Sequence, residues 1–164
     1  METEETKTNH FDVLVLALFI IGHQIIGYGL GMITRTQIPH WYAELEKPGL
    51  TPPDWAFGVT WTILYLLISV SAWLLYRNRH KDGINAVTFL FILQLVLNWG
   101  WTFVFFVGHY LLPGALWIAA LIIITGALMY KSFYISRAAS LLLAPYFLWI
   151  SFALYLNSMI WFLN

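Results

Sequence analysis

WYAELEKPGLTPPDW, residues 41–55, is the one long polar interruption in an otherwise apolar chain, and its reading decides the fold. It carries Trp41 and Tyr42, the prolines Pro48, Pro52 and Pro53, and the charges Glu44, Glu46, Lys47 and Asp54. Proline lacks a backbone donor and restricts the residue before it, so Lys47-Pro48 and Thr51-Pro52-Pro53 do not fit inside a regular helix. After Pro53 an apolar run starts at once, and Asp54 is placed to cap its first turn. A flexible linker would be rich in Gly and Ser, whereas this segment is rich in rings that stack and bury. Residues 34–54 are therefore expected to form a structured lid between two membrane helices.

Composition supports the membrane reading. Of the 164 residues, 60% are hydrophobic and only 10% charged, against roughly 25% charged in a soluble domain. A net charge of zero and the lack of a basic run speak against nucleic acid as a partner. Without cysteine there is no disulfide, thiol nucleophile or thiolate metal site. The N-terminal METEETKTNH has three Glu and one Lys, the reverse of a signal peptide's positive start, so the first apolar run is expected to be retained.

A spanning helix needs about 20 mostly apolar residues, and five stretches qualify: about 13–33, 55–76, 84–107, 112–130 and 138–163. Short connections make them one domain, an all-α bundle of five transmembrane helices over residues 1–164. No internal repeat is visible, which speaks against an inverted-repeat transporter. Lys7, Arg77, Arg79, Lys81, Lys131 and Arg137 fall on the N-terminal side, with Arg35 and Lys47 opposite. In a bacterial cell membrane this bias places the N-terminus in the cytoplasm, with the lid and C-terminus outside. Gly27 and Gly31 have the spacing that lets helices approach closely; packing within the bundle is favoured over a dimer contact.

Three polar or aromatic stripes repeat at helical spacing. Gln94, Asn98 and Thr102 share one face of the third helix, and in hydrocarbon such groups must point into the bundle or a cavity. Trp61, Tyr65 and Ser69 do the same on the second helix, and Trp149, Ala153 and Asn157 on the fifth. Together they outline a pocket beneath the lid. The competing reading makes the rings interfacial belts and the amides helix–helix glue. It is preferred for Trp41, Trp117 and Trp161, near predicted helix ends, and glue is preferred for Asn157. It suits the deeper Trp61, Trp99, Trp101 and Trp149 less well.

His23, alone on an apolar helix, is read as a satisfied polar residue rather than a metal or haem ligand, since no second ligand shares its face. No metal site is expected. No Asp, Glu, Lys or Arg falls in a helix core, which argues against an ion-coupled pump.

The lid motif with Phe57, Trp61 and Tyr65 resembles the signature of the tryptophan-rich sensory protein / translocator protein (TspO/MBR) family. So do the block Gln94-Leu95-Val96-Leu97-Asn98-Trp99 with Trp101, Phe105 and Phe106, and the block Leu143-Ala144-Pro145-Tyr146 with Trp149, Phe152, Ala153, Leu156 and Asn157. The resemblance implies a five-helix bundle, often a homodimer, that binds tetrapyrroles such as protoporphyrin and haem, and drug-like hydrophobic molecules. It implies roles in stress response and in tetrapyrrole control or transport, and in some members light-dependent porphyrin breakdown. Carried over by position, the pocket would comprise Trp41, Tyr42, Pro52, Trp61, Tyr65, Asn98, Trp101, Thr102, Trp149 and Ala153. Porphyrin or haem enters as ligand, with no obligatory cofactor. Two positions depart from the family pattern. Leu50 stands where Trp is usual, and no basic residue follows Tyr155, where the sterol-recognition pattern wants one.

The favoured function is a membrane receptor or sensor for tetrapyrroles. A porphyrin-degrading enzyme would have to rely on the ligand's own photochemistry, because the helices carry no acid–base pair. A tetrapyrrole or sterol transporter is the third reading.

Overall fold

The computed structural model of the protein describes residues 10–164; Lys7 and most of the acidic N-terminal stretch lie outside them. Every described element is helical. In chain order they are α1 (His10–Gln37), running into a π-helical turn Ile38–Tyr42, α2 (Asp54–Arg77), α3 (Ile84–Thr102), running into a second π-helical turn Phe103–Val107, α4 (Leu111–Ile135), α5 (Arg137–Leu142) and α6 (Ala144–Leu163). Five spans result, with α5 and α6 forming the fifth, and each is long and apolar enough to cross a membrane. Helices satisfy their own backbone groups, which is what an apolar chain in hydrocarbon requires.

The boundaries differ from the sequence-based ones at the lid. The first helix does not stop near residue 33; the helical path continues through Tyr42 and reaches residue 44. Pro39 lacks the donor an α-helical turn needs, and the wider π turn takes up the register there. Arg35, Trp41 and Tyr42 are therefore helical, and the irregular segment shrinks to residues 45–53. Asp54 does not cap α2: Pro53 occupies that position, and Asp54 sits in the first turn, where the helix dipole favours its charge. The fourth helix runs five residues past Tyr130, and the fifth breaks at Leu143, before Pro145.

What remains of the lid is well held. Thr51 donates to the Pro48 carbonyl through both its N–H (2.9 Å) and its hydroxyl (2.8 Å). The C-terminal Asn164 pins it from below: its Oδ1 accepts from the Glu46 N–H at 3.0 Å and its Nδ2 donates to the Glu46 carbonyl at 3.1 Å. Lys47 Nζ stands 4.8 Å above the Tyr42 ring.

The opposite end gathers charge. Arg77 pairs with Asp12 at 3.9 Å, and Lys81 Nζ donates to the last α4 carbonyl, Ile135 O, at 2.8 Å. Gly83 opens α3 at φ +81°, a conformation few side chains tolerate. Between the ends, helices are joined by side chain to backbone bonds: Gln24 Nε2 to Thr62 O (2.9 Å), Trp73 Nε1 to Asp12 O (2.9 Å), Ser71 Oγ to Ala139 O (2.8 Å) and Trp117 Nε1 to Leu97 O (2.7 Å). Trp117, expected in the interfacial belt, is thus a half-buried α4–α3 contact, lying so close to Gly100 that a Cβ there would meet its ring at 2.8 Å. Gly27 serves the bundle in the same way, admitting the Tyr65 ring.

Ile68, Leu128, Leu143 and Tyr146 are fully buried where α2, α4, α5 and α6 meet. On this half of the bundle α2 packs against α5; toward the lid it diverges from α6, and the space opened there holds the site.

Candidate functional site

The floor is a line of three buried polar side chains. Asn98 Oδ1 accepts from the Tyr65 hydroxyl at 2.8 Å, and Asn98 Nδ2 donates to the Tyr146 hydroxyl at 3.0 Å. Tyr65 comes from α2, Asn98 from α3 and Tyr146 from the start of α6, so the line fixes three helices at one depth. Buried in a low-dielectric interior, these groups are costly unless paired.

Above this floor lies a cavity of about 960 Å³, walled by α1, α2, α3 with its π turn, α4 and α6. Its walls are aromatic. Trp61 leans on Tyr65 with ring centroids 5.4 Å apart, and Phe57 meets Trp149 edge-on at 5.9 Å. Trp101 stacks flat on Phe105, 5.2 Å between centroids and 12° between planes. Tyr42 closes the top against Phe106 at 5.6 Å.

Eight of the ten sequence-selected residues line this space: Tyr42, Trp61, Tyr65, Asn98, Trp101, Thr102, Trp149 and Ala153. Trp41 and Pro52 do not. Adjacent residues on a helix point about 100° apart, so where Tyr42 faces the cavity Trp41 faces away. Trp41 packs edge-on against Phe105 at 5.3 Å and stacks on His109 at 4.2 Å, buttressing the wall from behind. Pro52 belongs to the irregular segment outside the lining.

Two polar expectations change in detail. Asn98 faces the cavity with each functional atom making one bond to a tyrosine, so a ligand contact there would use the second lone pair of Oδ1 or the second N–H of Nδ2. Asn157 also lines the cavity, yet its Nδ2 donates to Ala153 O, one turn back on its own helix, at 3.1 Å. Gln94, on the same stripe as Asn98, lies below the floor, fully buried. His23 is outside the lining too: its Nδ1 lies 2.8 Å from Phe19 O and 3.1 Å from Ser69 Oγ. Among the described residues no group of three His, Asp or Glu could hold a metal ion.

The α1 wall lies outside the residues that the sequence motifs single out for the pocket. Gln24, Tyr28, Gly31, Arg35 and Ile38 all line the cavity, and their spacing of four, three, four and three is that of one helical face. That periodicity is visible in the sequence, but glycine and glutamine along it carry no chemistry until an opposite wall is in place. Arg35 and Asp54 are the charged members of the lining, both at its lid end.

The wall toward lipid is thin. A second, apolar groove of about 460 Å³ runs on the outer surface between α2 and α6, and Trp149 and Phe152 line both spaces. A single layer of side chains separates cavity from bilayer at this point. The concave shape, aromatic walls and sparse polar groups suit a largely apolar, flat molecule that stacks.

A model of the TspO/MBR family matches residues 16–162. The chain is similar to the tryptophan-rich protein TspO of Archaeoglobus fulgidus, 38% identical over 156 residues that cover 93% of this chain and 99% of the relative. It is equally similar to the tryptophan-rich protein TspO of Chlorobaculum tepidum, 38% identical over 93% of this chain and 97% of the relative. The translocator protein of Sus scrofa is 30% identical over 87% of this chain and 80% of its own length.

Proposed function

The chain belongs to the TspO/MBR family of membrane proteins, and from that premise we propose that it is a receptor or sensor for tetrapyrroles, protoporphyrin and haem among them. One observation carries this reading: a cavity of about 960 Å³ whose walls are Trp61, Trp101 and Trp149 with Tyr42 above. A planar macrocycle offers two stacking faces, and aromatic walls reward it beyond simple area burial. Drug-like hydrophobic ligands would use the same walls. The biological role in this reading is tetrapyrrole control or stress response, exercised by a homodimer in the cell membrane with its N-terminus in the cytoplasm. Arg77, Arg79, Lys81, Lys131 and Arg137 at one end of the bundle support that sidedness.

The test is a titration of protoporphyrin IX into the protein in neutral micelles, followed by tryptophan quenching in the dark and then under light. Saturable quenching lost in a Trp61→Ala, Trp149→Ala double variant supports a binding protein. Failure to saturate, or equal quenching by the double variant, overturns the site. A new absorbing species that forms under light only with the wild type would make the protein an enzyme instead.

A further inference from the structure

The charged rim of the cavity specifies more about the ligand than its walls do. On the cavity face of α1, Gly31 is bare: a Cβ added there would meet nothing within 4 Å. One turn toward the lid on the same face stands Arg35, exposed, the sole Lys, Arg or His of the lining. Arg35 makes no hydrogen bond or ion pair with any described residue. Lys47, the other cation at this end, is occupied: its Nζ donates to Leu45 O at 3.1 Å and lies over the Tyr42 ring. Across the mouth, Asp54 is the lining's one carboxylate, carried by α2 and not paired with Arg35.

The geometry points to Arg35 as the anchor for a carboxylate on the ligand's edge, which makes the preferred ligand a flat apolar body with an acidic rim, seated with that rim toward α1. This rests on the tetrapyrrole reading and narrows it to the free acids. A guanidinium presents a planar fork of donors that matches a carboxylate with two parallel bonds. It is more weakly hydrated than an ammonium, so it gives up less on meeting an anion at a half-wet mouth. Asp54 acts with the opposite sign, repelling an anionic edge from the α2 side. The two charges together orient the ligand: the apolar faces lie between Trp61 and Trp149 and the acid group emerges at α1.

A competing role for Arg35 is that of an interfacial cation that snorkels to the headgroups and fixes the height of α1. That role is indifferent to what fills the cavity. Binding of protoporphyrin IX and of its neutral dimethyl ester, measured in micelles of an uncharged detergent, separates the two. For wild type, the acid should bind more tightly at low salt and lose that advantage as salt is raised. Arg35→Gln should weaken the acid about fivefold, the scale of one exposed ion pair, and leave the ester unchanged. Arg35→Lys should keep part of the acid's advantage, and Asp54→Asn should strengthen the acid alone. Arg35 is exposed, and matching melting temperatures will establish that the variant is folded.

Acid affinity identical in wild type and Arg35→Gln, with both still binding, overturns the anchor and leaves the pocket standing. Equal weakening of acid and ester also overturns it, because charge would not be the cause. If wild type binds neither compound, the tetrapyrrole reading falls and the anchor falls with it.

Discussion

The Tyr65 hydroxyl donates to Asn98 Oδ1 at 2.8 Å, across the boundary between α2 and α3, with both side chains buried at the floor of the cavity. The same amide serves Tyr146, so replacing Asn98 strands two buried phenols, whereas Tyr65→Phe strands one amide oxygen. Hydrogen bonds between membrane helices are worth about 0.6 kcal/mol on average and at most about 1.7 kcal/mol. Asn98→Ala should therefore lower the melting temperature more than Tyr65→Phe. Thermal unfolding of both variants in micelles checks the order. An Asn98→Ala protein as stable as wild type that no longer binds ligand would make Asn98 a direct contact instead.

Trp117 and Trp149 are predicted to fail in different ways. Trp117 fills the α3–α4 seam over Gly100 and donates to Leu97 O, so Trp117→Ala leaves a hole and loses a bond between the two helices, at a cost of about 3 kcal/mol or more. Trp149 faces the cavity, and its loss removes a stacking wall, worth about 1 kcal/mol or more in binding. Melting temperature should fall mainly for Trp117→Ala and porphyrin affinity mainly for Trp149→Ala. The reverse pattern would remove Trp149 from the site.

These contrasts mark what the chain discloses about itself. Five spans could be read because lipid demands about 20 apolar residues in a row, and Pro48, Pro52 and Pro53 do fall outside helices because they lack the donor. The continuation through Pro39 could not be read, since a π turn rescues a proline only once neighbouring helices hold it. The stripes of Trp61, Asn98 and Trp149 were legible through helical period alone. That Asn98 is bonded through both atoms depends on Tyr65 and Tyr146, 33 and 48 residues distant, and no local rule brings those three together. Arg35 counted only toward sidedness until the bare face of α1 was set opposite α6.

Trp41 is predicted to act on the α3–α4 connection. Its ring lies 4.2 Å from that of His109 at 11°, and His109 Nε2 is 3.2 Å from Gln37 Oε1. His109 itself sits at φ +58°, sparsely populated by non-glycine residues, and the stack helps hold it there. Trp41→Ala should speed amide exchange over residues 108–111 while changing ligand affinity less than Tyr42→Ala does. An affinity loss as large as that of Tyr42→Ala, with exchange unaltered, would return Trp41 to the pocket.

Gly27 and Gly31 are one helical turn apart on α1, and the same added methyl group should act oppositely at the two. At Gly27 a Cβ would lie 2.6 Å from two atoms of the Tyr65 ring. Tyr65 cannot swing aside without giving up its bond to Asn98, so Gly27→Ala must either part α1 from α2 or break the floor of the cavity. Overpacking of this kind costs about 1–3 kcal/mol. At Gly31, as at Gly29, the Cβ meets nothing within 4 Å, and alanine gains up to about 1 kcal/mol of helix propensity over glycine. Gly29→Ala and Gly31→Ala should thus hold or raise the melting temperature while Gly27→Ala lowers it. Gly31 lines the cavity and Gly29 does not, so phenylalanine at the two positions separates volume from stability. Gly31→Phe should weaken porphyrin binding in a protein that melts normally, and Gly29→Phe should leave binding intact. A normally melting Gly27→Ala variant would mean that α1 slides on α2, and the floor would then be adjustable rather than fixed.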